Sequence, residues 1–297
     1  MKNYIEYIAF KFFVFLARLL PLRVLQRLGR SFGIFAYYFL PYRKKVAFEN
    51  LKNSFPDKSE SEIRRILKMA YVNFFITLFE FVSFQKLKPE DLKDLVRMEN
   101  FNYVTEALSE GRGLILMSGH FGNWELSAIV LGIEINKPLN IIVKTQRNKL
   151  VDNEINKWRC KFGNRVIPME KAYRESLRVL STGGVVALLA DQSAPKEGLF
   201  VNFLGRPAST FAGPAVMSLR TGAPIVMGFS IREKNFKYRF VFEKVDFKPS
   251  EDENENIIKL TQLHTTILEK YVRQYPDHWL WFHRRWKHSP PQSFQSE

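Results

Sequence analysis

A single cysteine, Cys160, stands among 297 residues. That excludes a disulfide framework and a Cys-based zinc site, and nothing marks an oxidising compartment. Acidic residues are also scarce, 30 Asp and Glu against 45 Lys and Arg, for a formal net charge of +15. Such an excess calls for an anionic partner: nucleic acid, an acidic membrane surface or an acidic carrier. No G-x-G-x-x-G or G-x-x-x-x-G-K loop follows a strand-like run, which weakens nucleotide-cofactor readings. What the chain has in quantity is phenylalanine, 27 residues of it. So much Phe beside so much Lys and Arg suits a protein that works where an apolar phase meets anionic water.

The excess charge is concentrated at the N-terminus. Residues 1–50 carry Lys2, Lys11, Arg18, Arg23, Arg27, Arg30, Arg43, Lys44 and Lys45 against only Glu6 and Glu49. The same stretch holds the runs IAFKFFVFLARLLPL and SFGIFAYYFLPY. A spanning helix wants about 20 apolar residues with few charges; here Glu6, Lys11 and Arg18 interrupt the first run and Pro21 limits it. Lys11 and Arg18 share one helix face, leaving Ile8, Phe12, Phe15, Leu16 and Leu19 on a broad apolar face. This reads as an interfacial helix, or a short spanning one with snorkelling cations; a buried N-terminal helix is the plain alternative. A secretory signal fits poorly, because charges lie inside the apolar run and no A-x-A-like cleavage site follows. The cations would keep the rest of the chain on the cytoplasmic side.

From Val46 the pattern is that of a folded domain. Ser59–Phe84 opens with Ser and Glu capping signals and continues with helical periodicity, its Phe-rich end reading as core. Asn100–Glu110 looks helical. Strand-like runs at Gly113–Ser118, Leu139–Lys144, Val185–Ala190 and Pro224–Ile231 then alternate with helical ones at Asn123–Leu131, Val151–Phe162, Lys171–Ser181 and Thr210–Arg220. Phe236–Phe242 reads as an edge strand and Asn254–Tyr275 as the last long helix. This alternation predicts an α/β fold, an αβα sandwich with a mostly parallel sheet. The expected divisions are an N-terminal membrane-associated segment over 1–42, a domain over 43–289 and a polar tail over 290–297.

The chemistry concentrates in GLILMSGHFGNWE, residues 113–125. A buried strand delivers Ser118, Gly119 and His120 to a Gly-rich turn, and Asn123 offers a helix N-cap. On one continuous helix His120 and Glu125 would sit about 140° apart. They can meet only with His120 on the turn and Glu125 in the first helical turn, where the dipole favours a carboxylate. A carboxylate on one imidazole nitrogen would leave the other free as a general base. A structural histidine hydrogen-bonded to a glutamate is the bland alternative. His278, His283 and His288 recur every five residues, which does not put them on one helix face, and their Trp neighbours favour packing over metal. His264 carries no usable signal.

SGHFGNWE resembles the first block of the bacterial lipid A biosynthesis (late) acyltransferases, a branch of the lysophospholipid acyltransferase superfamily with an H-x4-D/E motif. The similarity continues in RKKVAFENLKNSFPDKSESE (43–62), in Asn148 and Asp152 of RNKLVDNEI, in LLADQSAPKEGLFVNFLGRPASTFAGPAVMSLRTGAPIV (188–226) and in YPDHWLWFHRRWK (275–287). The resemblance implies an αβα domain of glycerolipid-acyltransferase type behind a basic membrane anchor, on the cytoplasmic face of the inner membrane. It implies transfer of a fatty acyl chain from an acyl carrier protein or coenzyme A thioester to a glycolipid hydroxyl, most directly of a lipid A precursor. No cofactor, metal or nucleic acid is called for. His120 would be the general base and Glu125 would hold and polarise its ring. No acyl-enzyme is required, which suits a lone Cys160 without a paired histidine. Backbone N–H groups at the Gly122–Asn123 helix start could supply an oxyanion site, and sequence does not single out which. Lys144 departs from the family's usual Arg, and a point charge does not reproduce a bidentate grip on an anion. Arg147, Arg159 and Arg206 are the other candidate anion ligands, and Asn148, Asp152, Asp191 and Gln192 complete the candidate substrate-binding set. A non-catalytic nucleic-acid binder is the rival class, but the aromatics cluster with aliphatics rather than alternating with cations. A membrane-surface scaffold is the other non-catalytic alternative.

Overall fold

The computed structural model describes residues 1–40 and 42–289; the polar tail expected over 290–297 lies outside them. Two helices lead, α1 (Lys2–Leu19) and α2 (Leu22–Phe39), separated by Pro21, followed by α3 (Lys44–Ser54) and the long α4 (Glu60–Ser83). The start of α4 is set by a capping box: the Ser59 hydroxyl accepts from the Glu62 N–H, and the Glu62 carboxylate accepts from the Ser59 N–H. A short α5 (Pro89–Lys93) precedes β1 (Val96–Glu99) and α6 (Asn102–Ser109). Strand β2 (Leu114–Ser118), α7 (Trp124–Glu134), β3 (Leu139–Val143), α8 (Lys149–Cys160), β4 (Arg165–Pro168), α9 (Ala172–Ser181) and β5 (Val185–Leu189) then alternate. A hairpin of β6 (Leu199–Phe203) and β7 (Arg206–Thr210) interrupts before α10 (Gly213–Thr221), β8 (Ile225–Arg232), β9 (Tyr238–Lys244) and α11 (Glu253–Gln274).

The main sheet has the order β1-β9-β8-β2-β5-β3-β4, parallel except between β8 and β9. Its strands face apolar neighbours on both sides, as parallel sheets must. In β2, Ile115 and Met117 enter one core with α4, α10 and α11, while Leu114 and Leu116 enter the other with α6, α7 and α8. The αβα expectation therefore holds. One placement is corrected: β9 is not an edge, because β1 pairs outside it in parallel register, Val96 to Tyr238. Four residues with mixed exposure give β1 too short an alternation to read as a strand. The expected helix over 210–220 begins later, because Thr210 closes β7 and the helix starts at Gly213 with Pro214 in its first turn.

The N-terminal helices are built onto this body. Gly29 and Gly33 let α2 lie against α4 backbone to backbone: a Cβ at Gly33 would stand 2.6 Å from the Val72 Cα. On α1, Val14 and Ala17 are buried, Phe10 stacks on Trp158 of α8, and Lys11 pairs with Glu154. Phe79 of α4 touches Phe13 of α1 and Phe32 of α2, so the two helices share one flank of α4. Among the described residues, the helix long and apolar enough to cross a membrane is α4 with its 3-10 extension, Glu60–Lys86, and 67% of its apolar window is buried in the protein. The opposite face of α1, with Ile8, Phe12, Phe15, Leu16 and Leu19, is exposed.

Candidate active site

The site forms at the carboxyl ends of neighbouring parallel strands, the usual location in open α/β sheets. Strands β2 and β5 pair with Ser118 opposite Leu189. Two residues on, that register sets His120 level with Asp191. The Asp191 carboxylate accepts from the His120 backbone N–H at 2.8 Å, lies 2.8 Å from the ring Nδ1, and accepts from the Trp279 indole N–H at 2.8 Å. Burial works against its charge, but the imidazole and its hydrogen bonds outweigh burial and hold the carboxyl well below its usual range. An ionised Asp191 keeps the proton on His120 Nδ1 and leaves Nε2 as a lone pair. The His120 side chain is 19% exposed and that of Asp191 fully buried, so the imidazole is reachable and the carboxylate is not.

Behind His120 the chain turns sharply. Gly122 has φ +59°, and an added Cβ would lie 1.7 Å from the Ser230 carbonyl oxygen, so only glycine fits. Asn123 caps α7 by accepting from the Leu126 N–H at 3.0 Å. Its amide donates to Glu80 of α4, a fully buried carboxylate that also accepts from Gln26, Tyr238 and Arg232. The C-terminal segment closes over the turn from the other side: Leu280 N–H donates to His120 O, and Gly122 N–H to His278 O. Asn50 of α3 in turn donates to the Trp281 and His283 carbonyls.

The expected His120–Glu125 contact is not made. With Asn123 as cap, Glu125 is the second helical residue and its carboxylate turns to α8, where Arg159 grips it bidentately through Nε (3.0 Å) and Nη2 (2.6 Å). Burial opposes the Arg159 charge, but Glu125 more than offsets it and raises the guanidinium pKa. At the helix start where oxyanion donors were sought, two N–H groups are taken: Gly122 N–H bonds His278 O, and Asn123 N–H bonds the Ser230 hydroxyl. Among the described residues, the next N–H groups, of Trp124 and Glu125, have no acceptor within the chain.

The other candidates divide. Gln192 is at the site, its amide nitrogen 3.4 Å from His120 Nε2 and 3.0 Å from His283 Nε2. Asn148 and Asp152 build the start of α8: Asn148 accepts from Leu150 N–H and donates to Asn3 O, and Asp152 accepts from Gln146 N–H. Arg147 pairs with Glu6 on the surface, and Lys144 is exposed. Arg206 lies over the Trp286 ring at 3.6 Å and donates to Ser54, well inside the packing of α3 and the hairpin. Trp286 itself stacks on Phe203 rather than facing outward. Burial raises the Cys160 thiol pKa, the reverse of an activated nucleophile, and Ser118 donates its hydroxyl to Gly228 O. His283, half-buried and pushed down to about 4 by desolvation and the neighbouring His120, was missed as a site residue. Its only sequence signal was membership of the C-terminal aromatic-basic run.

Fold and site together define an αβα protein in which a partly exposed histidine stands on a buried aspartate at the carboxyl ends of neighbouring parallel strands. Residues 1–288 match the family model described as bacterial lipid A biosynthesis acyltransferase, and the chain belongs to that family. It is an acyltransferase. The chain is 24% identical over 274 residues to the lipid A biosynthesis lauroyltransferase of Escherichia coli (strain K12), covering 91% of this chain and 88% of the relative. It is 25% identical over 275 residues to the lipid A biosynthesis palmitoleoyltransferase of the same organism, covering 91% and 87%. A phosphatidylinositol mannoside acyltransferase of Mycolicibacterium smegmatis (strain ATCC 700084 / mc(2)155) is 25% identical over 130 residues, 42% of each chain.

Proposed function

We propose that this protein moves a fatty acyl chain from an acyl carrier protein or coenzyme A thioester to a hydroxyl of a membrane glycolipid, a lipid A precursor first among them. The observation that carries this reading is the His120 imidazole, anchored at Nδ1 by the ionised, buried Asp191 with Nε2 left as a base. The acceptor oxygen attacks the thioester carbonyl while Nε2 takes its proton. The tetrahedral intermediate collapses to the new ester, and the departing thiolate takes the proton back from the imidazolium. No acyl-enzyme is needed. The Trp124 and Glu125 N–H groups at the start of α7 are the candidate oxyanion donors. Glu125 acts through Arg159, holding a buried cation beside the start of α7 rather than polarising His120.

The lipid surface is met by α1 and α2. Their outward residues include Ile8, Phe12, Phe15 and Leu19 of α1 and Phe35 and Phe39 of α2, with exposed Lys2, Arg23, Arg27 and Arg30 on the same helices. This fits interfacial attachment to the cytoplasmic face of an anionic inner membrane. The test is transfer of labelled acyl groups from both thioesters, in detergent, to lipid A precursors and to mannosylated phosphatidylinositol, with His120→Ala alongside. Transfer to a lipid A precursor that disappears in the variant supports the reading. Transfer only to the phosphatidylinositol glycolipid would move the acceptor to that class, and turnover surviving in His120→Ala would sink the base.

A further inference from the structure

The Gln192 carboxamide stands between two imidazoles. The Asp191 carboxylate fixes the His120 proton on Nδ1, so His120 Nε2 accepts; the Gln192 Nε2 lies 3.4 Å away, too far for a good bond. The same amide nitrogen makes a normal bond, 3.0 Å, to His283 Nε2. One N–H of Gln192 is thus committed to His283, and its nitrogen stands beside His120 Nε2 without a bond of normal length to it. Two nitrogens at that separation can both be reached by one oxygen, about 2.8 Å from each, which is hydrogen-bond distance. A hydroxyl oxygen there would donate its proton to His120 and accept from Gln192, leaving its remaining lone pair for attack.

We propose that Gln192 is a further catalytic residue, holding the acceptor hydroxyl on His120 Nε2, and that His283 is the positioning residue that aims it. This rests on the acyl-transfer reading with His120 as base. His283 is suited to the task because it must stay an acceptor. Its ring is half-buried with its centroid 5.3 Å from that of His120, and desolvation and His120 push its pKa down to about 4. The His283 backbone is in turn pinned by the Asn50 amide. Sequence gave Gln192 only as a member of a substrate-binding block; its partnership with a residue 91 positions later is a product of the fold.

The experiment measures acyl transfer from lauroyl–acyl carrier protein to the acceptor that the unaltered protein acylates, for Gln192→Ala, His283→Ala, the double variant and His120→Ala. Histidine side-chain NMR of Gln192→Glu runs alongside, since that titration needs no substrate. Gln192→Ala is expected to lower kcat/KM for the acceptor about tenfold to hundredfold, as misplacing a reactant does, with the donor KM within about twofold. His283→Ala should do the same, and the double variant should be no worse than either single one. Gln192→Glu puts a carboxylate on the base, so the His120 pKa and the acid limb of the pH–rate profile should both move to higher pH. Full acceptor kcat/KM in folded Gln192→Ala, additive losses in the double variant, a loss confined to donor KM, or an unmoved His120 titration would each overturn the proposal. With His120→Ala inactive, those results leave the base reading standing. An active His120→Ala removes both.

Discussion

In the proposed mechanism His120 is a directed base because one of its ring nitrogens is already occupied, and the occupant is Asp191. The carboxylate bonds the ring Nδ1 and the backbone N–H of the same residue, so ring tautomer and ring position are set together. Trp279 supplies a third donor and takes up remaining acceptor capacity. Asp191→Asn keeps the shape but can present an amide donor to Nδ1, which favours the wrong tautomer. Its kcat is expected to fall about a thousandfold, within the range general-base support commands, with little change in KM. Steady-state kinetics beside a circular dichroism melt would check this, and a KM-only effect would contradict it. Glu125 was the residue that spacing singled out for that task. Spacing showed that His120 and Glu125 could meet across a turn, but not that a closer carboxylate would arrive from the next strand and a guanidinium from the next helix.

At the scale of elements, the turn from β2 to α7 is over-determined. Gly122 supplies the positive φ, Asn123 caps the helix, and Thr77 of α4 donates to the Gly122 carbonyl. Glu80 and Arg232 form a fully buried ion pair that joins α4 to β8, and the Asn123 amide closes onto Glu80. Losing either charge would strand the other in the core. Gly122→Ala meets both the Ser230 carbonyl and an unfavourable φ, and should cost about 3 kcal/mol or more. Urea denaturation would show the fall in midpoint, and a midpoint like that of the parent protein would mean that the turn is looser than its contacts imply. The strand–turn–cap pattern was readable because each signal is local: an apolar run, a glycine, an Asn cap. β1 and β4 were not readable, being four residues long with mixed exposure, and the β6–β7 hairpin, though its strands pair across a two-residue turn, shows no regular apolar alternation in β7.

For the molecule as a whole, the N-terminal helices have two faces with different duties. The inner face is core, with Val14, Ala17, Leu25 and Ala36 buried, so deleting residues 1–42 would disrupt packing as well as remove the proposed membrane face. The outer face can be altered by itself. Phe12, Phe15 and Phe39 are each at least 60% exposed, so changing all three to Ser should spare folding. Each replacement removes about 2 kcal/mol of apolar transfer where the ring is immersed, so vesicle affinity should drop well over tenfold. Co-sedimentation with anionic vesicles measures this, and unchanged binding would contradict the proposed membrane face.

The sequence by itself determined the parts that depend on neighbours along the chain. These are the αβα alternation, the cap and glycine turn around His120, the amphipathic basic N-terminus, and the ordered motifs of an acyltransferase family. Tertiary structure decided who stands beside His120. A parallel register brought Asp191 level with it, and helix packing drew Glu125 away to Arg159. The C-terminal segment then carried Trp279 and His283 back across the strand ends. Side-chain partnerships of that kind depend on distances in space between residues far apart in the chain, and periodicity along one segment carries no record of them.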